Sequence, residues 1–350
     1  MGANLSQAVI MVGGKGTRLR PLTDNMPKPL LPVLGVPCVE YIIKSLVDSG
    51  VEEIILACGY HSEKMIDTIG DGRRFGVDIE FSYESQPAGT AGSVKLLQDR
   101  LPQTFIVASG DVLADVDLGG MIETHRASNA SVTMALTEVD NPTEFGIVGL
   151  DDGGRIQRFK EKPTSEEAFS NLINAGIYVL DKRVLDSIPS DTFFDFSKDL
   201  FPDLMSHGHR LQGHILNGFW KDIGRPSDLL DANITMARKK GNQPYPGASF
   251  VICSEVSGSS AILPGCHIEG SRIESSVISE KVRIVDSEVL SSLLFPEVIV
   301  DRNSCISNSI IADRCRIGAG SKIHNCIISN GQVVSSGSEL NNCKVGFEDE

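Results

Sequence analysis

The sequence predicts an α/β domain with a mainly parallel sheet, followed by a parallel β-helix. In the first two-thirds of the 350 residues, short apolar runs alternate with segments whose apolar residues have helical spacing. Near residues 238–247 the composition changes to Pro, Gly and basic residues, which is typical of a linker. Beyond it, an apolar residue recurs every five or six positions. We therefore expect a first domain over 1–240, a linker over 241–250 and a second domain over 251–350.

The first domain contains apolar runs that read as strands and amphipathic segments that read as helices. The runs are residues 8–12, 54–57, 79–83, 105–108 and 131–136, and the amphipathic segments are 39–47 and 91–101. Alternation of this kind forms a mainly parallel sheet with helices on both faces. Ligands of such sheets lie beyond the carboxyl ends of the strands. A glycine-rich loop and Asp111 both fall at such ends.

The second domain has the repeat of a parallel β-helix, in which each short strand points one side chain inward and the stacked coils form the core. The repeating residues are Ile262, Ile268, Ile273, Ile278, Ile284, Leu290, Ile311, Ile317, Ile323, Ile328, Val334 and Leu340. The spacing is imperfect between Leu290 and Val300, which predicts a loop or an irregular coil there. A β-sandwich is the alternative fold for this domain.

Charge and composition exclude several classes of function. A net charge of −14 argues against a nucleic-acid partner, whose backbone would repel the protein. No apolar run is long enough to span a bilayer, and the first residues do not have the pattern of a signal peptide. The eight cysteines include no Cys-x-x-Cys pair, so zinc spacing is absent. We expect a cytoplasmic protein without a membrane partner, whose cysteines are mostly buried in the core.

The glycine-rich loop is the most informative segment for function. Residues 13–23 read Gly-Gly-Lys-Gly-Thr-Arg-Leu-Arg-Pro-Leu-Thr, and Pro-Lys-Pro follows at 27–29. Glycines let the backbone approach a ligand, and consecutive amide groups in such a loop bind phosphate oxygens. Arg18, Arg20 and Lys28 add positive charge. Because neither the P-loop spacing nor the dinucleotide-binding spacing is present, the segment predicts polyphosphate binding by another kind of loop.

These residues resemble the signature of the sugar-1-phosphate nucleotidylyltransferases, also called nucleotide-sugar pyrophosphorylases. Val12 stands where that family usually has Ala. The resemblance implies a Rossmann-like domain of nucleotidyltransferase type, in many members followed by a left-handed β-helix. It also implies that the substrates are a nucleoside triphosphate and a sugar 1-phosphate. The residues expected at the triphosphate are Gly13, Gly14, Gly16, Thr17, Arg18 and Lys28.

Two aspartates are expected to hold Mg²⁺. Asp111 follows an apolar strand beside Gly110, a suitable place for a carboxylate ligand, although Asp115 and Asp117 follow soon after and could compete. By resemblance, Asp111 matches the family's metal-binding Asp. Residues 220–226 read Trp-Lys-Asp-Ile-Gly-Arg-Pro and resemble the family motif whose Asp is the second ligand, which points to Asp222.

Other segments resemble the sugar and base sites of the family. The resemblance implies that Glu161 bonds to sugar hydroxyls and that Lys162 holds the sugar phosphate. The remaining residues expected at the sugar are Gly146, Asn174 and Gly176, and those expected at the nucleobase are Gln86, Gly89 and Thr90. The form Gly-Thr-Ala-Gly at residues 89–92 is similar to the mannose-1-phosphate guanylyltransferases, although uridylyl and thymidylyl enzymes come close.

The sequence therefore predicts an enzyme that makes GDP-mannose and pyrophosphate from GTP and mannose 1-phosphate. A glucose-1-phosphate thymidylyl- or uridylyltransferase is an alternative. A bifunctional enzyme whose β-helix is an acetyltransferase and a catalytically silent regulatory paralogue are two others. No general base is needed, because a phosphate whose second pKa is about 6 is largely a dianion at neutral pH. We also expect a homo-oligomer formed through the β-helix.

Overall fold

The chain folds into two compact units that alternate along the sequence. In the computed structural model we describe residues 5–14, 16–59, 63–84, 86–241, 249–257 and 259–347. The unit that we call the α/β unit comprises Met1–Gly14 and Cys38–Lys221, and the β-helix unit comprises Lys15–Pro37 and Asp222–Glu350. Gly13 and Gly14 of the glycine-rich segment therefore belong to the α/β unit, and the rest of the segment groups with the β-helix unit. Most of the predicted linker, residues 242–248, lies outside the described residues.

Within the described residues, thirteen strands precede the β-helix. They are β1 (Gln7–Met11), β2 (Pro32–Val33), β3 (Val36–Pro37), β4 (Glu53–Cys58), β5 (Asp78–Tyr83), β6 (Thr104–Ser109), β7 (Val112–Asp117), β8 (Val132–Glu138), β9 (Gly146–Leu150), β10 (Ile156–Glu161), β11 (Leu172–Asp181), β12 (Leu211–Ile215) and β13 (Asn217–Asp222). The helices are α1 (Cys38–Asp48), α2 (Glu63–Ile69), α3 (Gly89–Lys95), α4 (Gly119–Ser128), α5 (Phe201–Ser206) and α6 (Pro226–Lys240).

The main sheet of the α/β unit has nine strands. Strands β6, β1, β4 and β5 are parallel neighbours, in that order. Strand β11 pairs antiparallel with β6 and with β8, and β9 and β10 add a further antiparallel pair. The predicted runs coincide with β1, β4, β5, β6 and β8. The predicted parallel arrangement is thus the centre of a mixed sheet, whose antiparallel part carries several of the candidate site residues.

The predicted helix over 91–101 is shorter than its pattern suggested. Helix α3 ends at Lys95, and a separate 3₁₀ turn covers Gln98–Arg100. After Lys95 the backbone bonds change to the tighter i to i+3 pattern, as in the bond from the Leu97 nitrogen to the Val94 oxygen. The change leaves Leu97 in the core and Leu96 exposed.

The β-helix has three parallel sheets of six strands each. Its strands are β14 (Phe250–Ile252), β15 (Glu255–Val256), β16 (Ala261–Ile262), β17 (His267–Glu269), β18 (Arg272–Glu274), β19 (Val277–Ile278), β20 (Arg283–Val285), β21 (Glu288–Leu290), β22 (Leu293–Leu294), β23 (Ile299–Val300), β24 (Cys305–Ser307), β25 (Ile310–Ile311), β26 (Arg316–Ile317), β27 (Lys322–His324), β28 (Ile327–Ile328), β29 (Val333–Val334), β30 (Glu339–Asn341) and β31 (Lys344–Val345). Buried Ile and Val residues from all three sheets form one core. The β-helix predicted from the repeat is confirmed.

The prediction of an irregular coil between Leu290 and Val300 is wrong. Strands β21, β22 and β23 pair in register with the coils before and after them. The inward residue of β21 is Val289, which is fully buried, whereas Leu290 is only partly buried. Equivalent positions are 17 residues apart from β14 to β17, 16 apart from β17 to β20 and from β20 to β23, and 17 apart again from β23 to β26. The turn after β23 takes up the extra residue, so the stack continues without interruption.

A buried asparagine of helix α6 binds residues 32–34, which follow the glycine-rich segment in the β-helix unit. Asn233 Oδ1 accepts a hydrogen bond from the Leu34 nitrogen at 2.9 Å, and its Nδ2 donates to the Pro32 oxygen at 3.1 Å and the Leu229 oxygen at 2.9 Å. The side chain is 1% exposed. Replacing it would leave buried backbone groups without partners.

We expect Asn233→Ala to lower the free energy of unfolding by roughly 2–3 kcal/mol, because unsatisfied buried polar groups cost about 1–3 kcal/mol each and the losses are not fully additive. Urea unfolding followed by circular dichroism measures the change. The matched control is Asn217→Ala, at an exposed position, which should change stability by less than about 0.5 kcal/mol. Equal losses in the two variants would contradict the role of Asn233.

Candidate active site

The glycine-rich segment forms a tight turn in which the side chain of Arg18 is exposed. Gly16 has φ 59°, and the Thr23 hydroxyl donates to its carbonyl oxygen at 2.8 Å. A Cβ on Gly16 would lie 3.0 Å from Cγ2 of Thr23, so the turn leaves little room for a side chain. The 3₁₀ turn Thr17–Leu19 follows, with Leu19 fully buried and Arg18 exposed. Leu19 anchors the turn, and Arg18 is left accessible to an anion.

Lys28 and Asp222 meet within the β-helix unit, although nearly two hundred residues separate them. Lys28 Nζ lies 3.6 Å from Asp222 Oδ1, and the two side chains are 9% and 27% exposed. A Cβ on Gly224 would lie 2.6 Å from Asp222 Oδ2 and 3.3 Å from Arg18 Nη2. The signature segment and the Trp-Lys-Asp-Ile-Gly motif therefore form one cluster of two cations and the Asp222 carboxylate, with the Asp228 carboxylate also 3.5 Å from that Cβ position. The lack of a side chain at Gly224 gives these groups the space that they occupy.

Asp111 lies just beyond strand β6 in the α/β unit. The Ser109 hydroxyl donates to its Oδ1 at 3.0 Å, which orients the carboxylate. Of the two acids that could compete with it, Asp117 accepts a hydrogen bond at 2.9 Å from the nitrogen of Gly119, the first residue of helix α4. Asp115 is exposed on β7. Among the described residues there is no cluster of three or more His, Cys, Asp or Glu suited to hold a metal ion.

The Asn-Ala-Gly segment makes an irregular turn within β11, next to Ser109. Asn174 Oδ1 accepts from the Gly176 nitrogen at 2.9 Å. Gly176 has φ 74°, and a Cβ there would lie 3.2 Å from Cβ of Ser109. Trp220 Nε1 donates to the Ala175 oxygen at 2.8 Å. Hydrogen bonds from two sides therefore hold the segment, and of the predicted sugar-site residues Gly176 lies beside the serine that orients Asp111.

Glu161 and Lys162 lie at the end of β10 in an unusual backbone geometry. Lys162 has φ 44°, a conformation that non-glycine residues adopt rarely and at some energetic cost, and its nitrogen donates to the Phe145 oxygen at 2.9 Å. A Cβ on Gly146 would lie 2.8 Å from Oε2 of Glu161. Strain of this kind is common at functional sites, where the surrounding structure maintains it.

The surroundings of Glu161 raise the pKa of its carboxyl above the ordinary value for glutamate. Burial raises the pKa of its carboxyl, and the nearby charge of Asp195 adds to that shift, whereas Lys162 and Lys198 lower the pKa. A half-buried acid of this kind needs a hydrogen-bonding partner, and sugar hydroxyls would provide one.

The predicted nucleobase segment contacts a part of the chain that the sequence analysis missed. Gly89 has φ 80°, and a Cβ there would lie 2.6 Å from the Phe194 oxygen. The Thr90 hydroxyl donates to Asp195 Oδ2 at 2.9 Å, while Gln86 is exposed. Asp195 also caps the following helical turn through its other oxygen, which accepts from the Ser197 nitrogen at 2.9 Å.

Ser197 and Lys198 join the sugar-site residues through this turn. Asn174 Nδ2 donates to the Tyr178 hydroxyl at 2.9 Å and to Ser197 Oγ at 3.2 Å. The only local signal was the helix-capping sequence that begins at Asp195. The α/β unit thus brings together Gly89, Thr90, Asp111, Gly146, Glu161, Lys162, Asn174 and Gly176. Gly13 and Gly14 are exposed after β1 in the same unit.

Comparison with known proteins identifies the family. The model of the nucleotidyl transferase family matches residues 7–239. The chain belongs to the nucleotidyl transferase family. A second model, the GlmU-like, C-terminal hexapeptide, matches residues 283–348 and agrees with the predicted left-handed β-helix.

Several curated relatives have similar length. A mannose-1-phosphate guanylyltransferase of Mycobacterium tuberculosis is 33% identical over 298 residues, which cover 81% of this chain and 82% of that protein. A UTP–glucose-1-phosphate uridylyltransferase of Synechocystis is 33% identical over 332 residues, covering 90% of this chain and 84% of the relative. A mannose-1-phosphate guanyltransferase of Yarrowia lipolytica is 39% identical over 229 residues, or 64% and 62% of the two chains.

A solved structure shares the fold. A protein from Bacillus anthracis, described as a candidate glucose-1-phosphate thymidylyltransferase, has a TM-score of 0.60 at 24% identity, covering 65% of this chain and 94% of its own. Across the described ranges of this nucleotidyl transferase, the helices are too short or too polar to span a bilayer.

Proposed function

We propose that this nucleotidyl transferase is a sugar-1-phosphate nucleotidylyltransferase that converts GTP and mannose 1-phosphate into GDP-mannose and pyrophosphate. The observation that carries the proposal is the pairing of Glu161 with Lys162 beside Gly146 in the α/β unit. A half-buried carboxylate accepts hydrogen bonds from sugar hydroxyls, and an adjacent ammonium group binds a phosphate. A sugar phosphate carries both of these groups.

The triphosphate is assigned to the residues of the signature motif. Arg18 and Lys28 supply two cations, and the exposed glycines after β1 supply backbone amides. The ion pair of Lys28 with Asp222 keeps the lysine ammonium in a fixed position. These residues bind phosphate groups without reading the base, for which we propose Gln86, Gly89 and Thr90.

The proposed reaction is an in-line displacement at phosphorus. An oxygen of the sugar 1-phosphate attacks the α-phosphorus of the triphosphate, and pyrophosphate leaves. Lys162 neutralises the attacking phosphate, while Arg18 and Lys28 hold the triphosphate and its departing part. Because the attacking oxygen is already ionised at neutral pH, the work of the protein is to align two anions and to offset their repulsion.

We propose Asp111 and Asp222 as the ligands of Mg²⁺. Both offer carboxylate oxygens, the donors that Mg²⁺ prefers, and one or two carboxylates are enough because this ion usually completes its coordination with water and substrate phosphates. The hydrogen bond from Ser109 to Asp111 fits a carboxylate that must keep one orientation. When bound, the ion would neutralise phosphate charge.

The base and the sugar are tested by pyrophosphate release over a grid of five nucleoside triphosphates and several sugar 1-phosphates. The Gly-Thr-Ala-Gly form of residues 89–92 and the guanylyltransferases among the relatives support GTP and mannose 1-phosphate. We expect this pair to give the highest kcat/KM. A higher value for UTP or dTTP with glucose 1-phosphate would contradict the assignment. Release from no pair at all would favour a silent regulatory paralogue.

We also propose that the protein is cytoplasmic and forms a homo-oligomer through its β-helix. The first strand of the β-helix, β14, lies at the edge of its sheet and exposes apolar side chains, with Phe250 61% accessible. Exposed apolar patches and open strand edges favour association. Light scattering on the full chain tests the oligomeric state.

A further inference from the structure

One column of side chains in the β-helix changes from hydroxyls to thiols. Ser260, Ser276, Ser292 and Ser309 each precede a strand of the third sheet, one coil apart, and we call them the serine column. Each hydroxyl accepts a hydrogen bond from the backbone nitrogen of the next member, at 3.3, 3.0 and 3.1 Å. The last hydroxyl, of Ser309, accepts from the Cys326 nitrogen at 3.0 Å. The column therefore links successive coils through hydroxyl groups.

The two final positions of this column are Cys326 and Cys343, whose sulfur atoms lie 3.4 Å apart. They precede the parallel strands β28 and β31, in which Ile327 pairs with Lys344. The Ile327 nitrogen donates to the Cys343 oxygen at 3.0 Å, which keeps the two coils in register here. All eight cysteines lie in the described part of the chain, and each carries a free thiol.

Packing alone does not account for a pair of thiols here. Cys266, Cys315 and Cys326 each donate to a backbone oxygen, at 2.9, 2.9 and 3.1 Å, but of these three only Cys326 also has a second thiol beside it in the part of the chain that the structure describes. Cys326 is 1% exposed, whereas Cys343 is only partly buried. The Cys343 thiol is therefore accessible to a reagent in solution, and the buried Cys326 thiol is in contact with it.

We propose that Cys326 and Cys343 are a modification site that closes to an intramolecular disulfide by exchange with a small disulfide such as oxidised glutathione. Neighbouring strands of a sheet are about 4.7–4.9 Å apart. Disulfides join residues whose Cα atoms are roughly 4.4–6.8 Å apart. Side-chain rotation can then bring the two sulfur atoms into bonding distance while the coils stay in register.

The exchange takes two steps. The Cys343 thiolate attacks one sulfur of the small disulfide, which forms a mixed disulfide and releases one thiolate. The Cys326 thiolate then attacks the Cys343 sulfur, which forms the protein disulfide and releases the second thiolate. Two protein thiols are oxidised, one disulfide is reduced, and the two protons pass through solvent to the released thiolates.

The second attack is intramolecular, so the burial of Cys326 does not prevent it. Burial also raises the pKa of the Cys343 thiol, which makes the first step slow.

The disulfide would fasten the last coil that the described residues form, and among those residues this coil has a neighbouring coil on one side only. Lys344, next to Cys343, donates through Nζ to the Arg20 oxygen at 2.8 Å in the same unit. Terminal elements open more often than central ones. Closing the disulfide should therefore keep the Lys344 contact formed for a larger fraction of the time.

The test is to incubate the native full-length protein with oxidised glutathione, block the remaining thiols, and map disulfides by mass spectrometry of a non-reduced digest. We expect one peptide pair joined through Cys326 and Cys343, and a loss of two titratable thiols. The matched variants are Cys326→Ser and Cys343→Ser, since the serine column shows that serine fits this position. Cys326→Ser should stop at a glutathione adduct on Cys343, and Cys343→Ser should form no link.

A control variant, Cys305→Ser, should keep the link, because Cys305 belongs to a different sheet. Three outcomes would overturn the proposal. In the first, the wild-type protein accumulates only the glutathione adduct on Cys343. In the second, the disulfide joins other cysteines. In the third, Cys326 and Cys343 stay unmodified while the reagent oxidises an exposed cysteine such as Cys253.

Discussion

Asp111→Asn should lower kcat for pyrophosphate release by about 10³-fold. The substitution keeps the size of the side chain and its contact with Ser109, and it removes the negative charge. A metal ion contributes several kcal/mol of charge stabilisation to phosphoryl chemistry, and each 1.36 kcal/mol corresponds to about a factor of ten in rate. The variant should also need more Mg²⁺ for half-maximal activity. Steady-state kinetics over a Mg²⁺ titration measures both effects.

Asp117→Asn is the matched control for this experiment. It makes the same chemical change at the end of the next strand, β7, where Asp117 is exposed and accepts a hydrogen bond from the Gly119 nitrogen. Its activity and Mg²⁺ dependence should stay close to those of the wild type. Ser109→Ala should give an intermediate loss of about 10- to 100-fold, as expected when a group that orients a metal ligand is removed. An active Asp111→Asn variant with unchanged Mg²⁺ dependence would show that the ligand lies elsewhere.

Contiguous motifs were the part of the site that the sequence could predict. Lys28 and Asp222 were each recognised from a short run of neighbours, and the structure shows that they form an ion pair. Asp195 and Lys198 were missed because their link to the site is tertiary. The bond from Thr90 to Asp195 joins residues 105 positions apart, and no local pattern encodes it.

The fold shows the same division between local and long-range information. The five- to six-residue repeat predicted the β-helix because each coil buries similar side chains. It failed at Leu290 because the inward residue is Val289, one position away, and a shift of one residue moves a side chain to the opposite face of a strand. The grouping of Lys15–Pro37 with the β-helix unit rests on bonds such as that between Leu34 and Asn233, which are 199 residues apart.

Lys162→Met should raise the KM for the sugar 1-phosphate by roughly 10- to 100-fold while the KM for the nucleoside triphosphate changes little. Methionine keeps the apolar stem of the lysine and removes the ammonium group, and a hydrogen bond to a charged group contributes about 1.5–3 kcal/mol. Lys160→Met is the matched control, since Lys160 lies two residues earlier, on β10, has a side chain that is 43% exposed, and pairs with Glu167 at 2.5 Å. Equal losses for both substrates would contradict the assignment of Lys162 to the sugar phosphate.

The same variant makes a second, independent prediction through Glu161. Lys162 lowers the pKa of that carboxyl and opposes the effects of burial and Asp195, while Lys198 acts in the same direction as Lys162. Removing Lys162 should therefore raise the pKa of Glu161 further. As the pH falls, Glu161 would take up a proton earlier in the variant than in the wild type and would lose its ability to accept two hydroxyl hydrogen bonds.

The KM for the sugar 1-phosphate should then rise at a higher pH in Lys162→Met than in Lys162→Arg, which keeps the charge. Identical pH profiles for these two variants would show that Glu161 does not bind the sugar as an ionised group, and the defect of Lys162→Met would then come from the phosphate contact alone.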